Sequence, residues 1–447
     1  MAEPSLEGLP VELKILILFQ VPNGDTLKSL VLASPEYHQA YLTVRSELLS
    51  HLVKNKYDGF LDIAEALTAL RSENLDYVRD KEITVALLDR WRRRDEIRAS
   101  ENTTSSRIFE PQDLEETIKL QNFHKVLCFF LEDFSINAPR PPWIEPADWA
   151  KFLPLQLTLL EKQRLIRAVC RLQILQNIFG TDIMTLKPKG RADISKDWRL
   201  NQSAEIEGHV NRDGEPISWT SLEVPYRFFY GTIGPWEHDE MCGVLNYFIA
   251  KIKPIFDVIA NDLRQLSKST PCEYFWDILP EEESVTCAPC VEIDSDLDLF
   301  PDHYEGMASL GPIFLYRVLH MDRIPQRNTI CEEARLYWPD TFIGWKVESA
   351  RSEFFPLTDP ADLLESPNFE EYWSTLPPLK QPTLGWKKAW LKPHTETNTL
   401  EESMDWYRED ENDLQWGYAL WDASRLEEWK TPLLAGNEVM IVIGNQS

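Results

Sequence analysis

The side chains best suited to chemistry gather in one acidic tract. From Glu281 to Glu305 the chain has nine acidic residues and no lysine or arginine. Within it Asp294, Asp296, Asp298, Asp302 and Glu305 fall at positions 1, 3, 5, 9 and 12 of an EF-hand loop, a spacing that collects carboxylate oxygens round one calcium ion. Position 6, where such a loop turns on a glycine, is Leu299, and "CAPC" stands where a helix should lead in. A solvated acidic loop is the simpler reading. Cys287 and Cys290 form a single CxxC, with Cys272, His303 and Cys331 available as further ligands. Two such pairs would signal zinc; one pair, without a βαβ context for redox work, is read as a coincidence in a loop. His238, Asp239, Glu240 and Cys242 are a third group with metal-binding chemistry. Consecutive side chains on a helix diverge, however, and acids in a first turn suit the helix dipole. No metal ligand and no cofactor is assigned.

Catalytic motifs are missing: the chain contains no GxGxxG, GxxxxGK, GxSxG or HExxH. With 17 glycines and 8 histidines in 447 residues, few positions suit phosphate cradles or acid-base work. A non-enzymatic protein is expected. The composition, 43% hydrophobic with 16 Trp and 20 Phe, provides for a large core. The excess of 73 acidic over 46 basic residues, a formal charge of -27, repels phosphate backbones and anionic lipid, so neither nucleic acid nor a membrane is an expected partner. Seven thinly spread cysteines, and no apolar run resembling a signal peptide or a bilayer span, point to a reducing cytoplasmic or nuclear compartment.

The elements that would carry any site read as mainly α-helical. In the first fifty residues Leu9, Leu13, Leu16, Ile17 and Val21 recur at three- and four-residue steps after Pro10, which predicts an amphipathic helix one apolar stripe wide. Pro22, Asn23 and Gly24 break it, and Asp25 or Thr26 offers a cap for a second helix whose buried face holds Leu27, Leu30, Val31 and Ala33. Ser34 and Pro35 open a third, with Tyr37, Ala40, Tyr41, Val44, Leu48 and Leu52 along its stripe. So small a unit must dock on something to be stable.

Further helices are predicted over Gly59–Ser72, from Ile83 to Arg94, over Pro111–Phe134, over Pro154–Gly180 and from Pro235, where Pro254 should kink or split the helix. Arg90, Arg92, Arg93 and Arg94 read as a solvated helix end, with a nuclear-import patch as the sharper reading. Cys128 reads as a buried small hydrophobe. Four prolines between Asn137 and Trp149 exclude a helix there. Residues 181–234 look like an irregular or small β insert, and "EVMIVIG" like a terminal strand. The last 130 residues carry more than half of the tryptophans, read mostly as anchors that pin irregular segments to a helical body. "GYALWDASRLEEW" should end in a short helix capped by Asp422 or Ser424. The expected organisation is a head over residues 1–55, helical regions over 56–180 and 235–330, the insert between them, and a Trp-rich layer over 331–447.

"LPVELKILILFQV", a turn, "DTLKSLVLAS" and a closing aromatic helix with Tyr37 and Tyr41 resemble an F-box, in the diverged form of fungal F-box-like proteins. A fainter likeness to the same proteins lies in "LQWGYALWDASRLEEW". The resemblance covers roughly a tenth of the chain. It implies that the head binds a Skp-type adaptor of a cullin-RING ubiquitin ligase through Leu9, Pro10, Leu13, Ile17, Leu27 and Val31, while the remainder holds an unknown substrate protein. The alternative is a non-catalytic scaffold whose F-box-like head packs internally, which would cover the Leu9, Leu13 and Ile17 face.

Overall fold

Local side-chain chemistry sets the helix starts of the head. Helix α1, Val11–Phe19, begins one residue after Pro10, whose carbonyl accepts from the Leu13 and Lys14 amides at 3.1 and 3.2 Å. Helix α2, Gly24–Ala33, is capped by Asn23, which accepts from the Thr26 amide at 2.9 Å, and not by Asp25 or Thr26 as expected. Helix α3, Pro35–Tyr57, starts at the Ser-Pro pair and bends at Val44. Leu18, Val21, Leu27, Tyr37, Ala40, Leu48 and Leu52 close into a core belonging to the head alone.

The computed structural model describes residues 6–75, 79–100, 107–179, 229, 233–269, 307–308, 310–336, 368–391 and 416–432. The acidic tract, both members of the CxxC pair, Cys272, nearly all of the 181–234 insert and the "EVMIVIG" segment lie outside these residues. The described residues are mostly helical, with no strand or sheet among them. None of their helices is long and apolar enough to cross a membrane.

After the head come α4, Ile63–Arg71; α5, Lys81–Arg92; α6, Arg94–Ala99; and α7, Leu114–Asn137. These are followed by α8, Pro146–Phe152; α9, Leu159–Phe179; and α10, Pro235–Ser269. The expected exclusion of helix from the proline-rich stretch fails at its end, because Pro146 takes the first position of α8, where its missing amide would have had no partner. Helix α10 runs unbroken through Pro254, which faces solvent, as does Ala250, whose carbonyl it deprives of a donor. Cys128 on α7 is half-buried against His124, not buried as expected. The chain continues with α11, Pro312–Leu319; α12, Arg323–Leu336; α13, Asn368–Thr375; α14, Leu384–Trp390; and α15, Ala423–Glu428.

Helix α9 is the axis of the body, packed against α4, α7, α10 and α11. One apolar core extends from Val53 to Trp429 around it. The described C-terminal tryptophans are anchors in that core: Trp373 and Trp386 meet each other and Trp236 of α10 edge to face at 5.6 to 6.2 Å, and Trp421 and Trp429 meet at 5.0 Å. Charge runs through the same interior. Arg167 holds Glu237 at 2.6 Å and Glu240 at 2.7 Å, and Arg171 reaches Glu65 and Glu237, each at 3.1 Å. Glu65 also accepts from the Trp91 indole at 2.8 Å and from Arg94 at 3.0 Å. Arg94 therefore belongs to the interior and not to a solvated helix end, whereas Arg92 and Arg93 do pair with Asp89 at the surface.

Removing one member of such a cluster strands a buried charge. Arg167→Met should lower the unfolding free energy in urea by about 3–5 kcal/mol. Arg167→Met combined with Glu240→Leu should recover most of that loss, since it removes both charges and keeps the volume filled.

Candidate partner-binding site

Helix α1 is apolar on two faces. The inner one packs Leu18, with Ile15 and Phe19, on the head core, while Lys14 is buried beside them and holds Glu36 of α3 at 3.0 Å. The outer face carries Leu13 and Leu16, 45% and 60% exposed; Leu6, in the turn before the helix, is 66% exposed. The single stripe expected from Leu9, Leu13, Leu16, Ile17 and Val21 is thus divided: Val21 points inward, and Leu13 and Leu16 point outward. Pro10 is exposed next to them, and Leu9, Ile17 and Val31 are half-buried. Leu27, expected on the partner-facing surface, is only 4% exposed and fills the head core. On α2 the more exposed apolar side chains are Leu32 and Ala33; Ala33 is corrected from the buried face to the surface.

The body contains a half-open cavity of about 170 Å³, lined among others by Trp91, Arg94, Arg171, Trp236, Glu237 and Lys380. Its charges are engaged by neighbours: Arg94 by Asp62 and Glu65, Arg171 by Glu65 and Glu237, Lys380 by Asp95. Among the described residues no Ser, Thr, Cys or His lines it, so those residues offer no nucleophile with an adjacent base. Burial favours the neutral form of Glu237, but the Arg167 and Arg171 guanidiniums overcome it and hold its carboxyl down to about 2. Burial prevails at Glu240, whose carboxyl is raised in spite of Arg167, with the charge of Glu237 adding to the effect. Burial likewise opposes the charge of Asp62, but the hydrogen bond from Arg98 and the charge of Arg94 lower it on balance.

Of the residues considered for a metal, Glu240 turns to Arg167, whereas His238, Asp239 and Cys242 bring their ligand atoms within 4.8 Å of one another. The expectation that neighbouring side chains diverge holds for Glu240 and fails for Asp239. Asp239 is pulled across by the Trp386 indole at 2.7 Å and the Tyr418 hydroxyl at 2.8 Å. Sequence spacing alone did not reveal this, because both donors lie more than a hundred residues downstream.

Compared with known protein families, curated proteins and solved structures, the chain has no match in any of the three.

The depressed Glu237 carboxyl has a defined acid signature. A carboxylate held near 2 in the folded chain, against an ordinary value of 4.5, contributes stability that is complete above 4.5 and is lost as pH falls toward 2. For Glu237 alone this is on the order of 3 kcal/mol. Urea unfolding at stepped pH should show stability falling between 4.5 and 2, and Glu237→Gln should flatten that limb.

Proposed function

We propose that this chain is a non-catalytic receptor: its F-box-like head docks on a Skp-type adaptor of a cullin-RING ubiquitin ligase, and its helical body holds another protein for modification. The observation that carries this reading is the outer apolar face of α1. A helix that is apolar on two faces exposes one of them at a cost unless a second surface covers it. The Leu6, Leu13 and Leu16 side chains stand in solvent while the head already has a complete core of its own. A scaffold with an internally packed head would bury that face, so the exposure favours the receptor over the scaffold. Leu9, Pro10, Leu13 and Ile17 then contact the adaptor directly with Val31, and Leu27 supports them from beneath.

Co-expression with a Skp-type adaptor tests the reading. The full chain should co-elute with it, and Leu13→Asp with Leu16→Asp should weaken the complex at least tenfold, about 1.4 kcal/mol or more, without lowering the melting temperature. Leu27→Ala should instead destabilise the head by about 2–5 kcal/mol. If wild-type protein and the Leu13/Leu16 variant are equally unable to hold the adaptor, the receptor reading is wrong.

A further inference from the structure

The first turn of α10 holds a second constellation that the receptor reading does not use. His238 is 3% exposed and Asp239 6% exposed, and Cys242 is half-buried one turn further along. His238 and Cys242, four residues apart, share a helix face, and their Nδ1 and Sγ atoms lie 3.8 Å apart. Asp239 Oδ1 is 3.6 Å from the same His238 Nδ1. That separation exceeds an N–H···O hydrogen bond. It is close to the roughly 3.3–3.6 Å that separates two ligand atoms on one tetrahedral zinc, given metal bonds of about 2.0–2.3 Å.

The surroundings of Asp239 supply a second observation. Its other oxygen, Oδ2, accepts from the Trp386 indole at 2.7 Å and the Tyr418 hydroxyl at 2.8 Å, and the Trp390 indole donates to that hydroxyl at 2.5 Å. One carboxylate oxygen is thereby fixed by donors from two other segments and the remaining one is turned toward His238, the arrangement that outer groups impose on a metal-bound carboxylate. Nitrogen, carboxylate and thiolate together suit zinc better than calcium or magnesium, which prefer all-oxygen sets.

We propose that His238 Nδ1, Asp239 Oδ1 and Cys242 Sγ bind one zinc ion, with the fourth position open to water or to a partner's side chain. On binding, the Cys242 S–H bond breaks, its proton passes to solvent and a Zn–S bond replaces one of zinc's water ligands; nothing is oxidised or reduced. The site is independent of α1, so it stands or falls separately from adaptor binding.

The experiment uses the purified full chain, stripped with chelator and reloaded with Zn²⁺ or Co²⁺. One equivalent of zinc should be retained after desalting, and cobalt should give a near-ultraviolet thiolate-to-metal charge-transfer band. Both should persist in a Cys287→Ser, Cys290→Ser background, which removes the CxxC pair. Both should be lost in Cys242→Ser, with helical content and melting temperature of the stripped protein unchanged. Should that variant fail to fold, His238→Gln serves in its place. Tyr418→Phe should weaken zinc binding about 10–100-fold while leaving the cobalt band in place at saturation. No retained zinc in the folded wild type, or a cobalt band unaffected by Cys242→Ser, would mean that the three groups form only a buried hydrogen-bonded cluster and would overturn the proposal.

Discussion

A guanidinium taken out of water gives up several kcal/mol of hydration, and α9 takes three of them, Arg164, Arg167 and Arg171, into the body with Glu161 beside them. Their steps of three, three and four residues put them on one side of the helix. Each is answered by a different part of the chain. Glu161 holds Arg425 of α15 and Arg164 holds Asp422, both at 2.7 Å, while Arg167 engages α10 and Arg171 reaches Glu65 of α4. Arg425 lies 5.6 Å from the ring centroids of both Trp421 and Trp429, so aromatic and ionic packing coincide there. No single pair of this kind adds much net stability over an apolar replacement. What the series does is couple segments far apart in sequence, because each charge is costly until its partner arrives.

That coupling also explains which features were legible in the amino-acid sequence. The helices, the three-part head, the Ser-Pro start of α3 and the anchoring role of the tryptophans follow from periodicity and local chemistry, and all are present. The partners of α9 do not follow. Its stretch reads as a clean helical pattern, and glutamate and arginine are ordinarily placed in solvent by such a reading. Nothing local marks Arg164, Arg167 or Arg171 as buried, since their partners stand from about 66 to about 260 residues away. Lys14 and Arg94 were obscured in the same way. At Pro254 the local rule allows a kink or a split; the helix is not split there, and Pro254 and Ala250 lie on its exposed side, where the carbonyl that loses its donor is open to solvent.

Head and body are separate cores joined by one helix. Helix α3 contributes Tyr37, Ala40, Leu48 and Leu52 to the head and Val53 and Tyr57 to the body. At the body end the Tyr57 hydroxyl donates to the Leu120 carbonyl at 3.1 Å, and Lys54 pairs with Glu110 at 2.7 Å. The part of α3 beyond the bend at Val44 is shared by the two cores, through Leu48 and Leu52 on one side and Val53 and Tyr57 on the other, and transmits orientation, since neither core can rotate without breaking its own packing.

The first turn of α10 is where three distant stretches meet, and its acids do different work there. Acids at a helix start are ordinarily explained by the dipole, which is worth about 0.3–1 kcal/mol each at an exposed site. That explanation is too small for this turn. Glu237 and Glu240 are buried against two arginines of α9, and Asp239 is buried against Trp386 and Tyr418. The C-terminal segment can come this close because Gly417 adopts φ +80° and lies against Gly243, where an added Cβ would sit 3.0 Å from the Gly417 Cα. A side chain at Gly243 would press on Gly417, next to Tyr418, and one at Gly417 would be strained by its φ. The pairing of two glycines, and not the acidity of the turn, is therefore what makes the arrangement around His238 attainable.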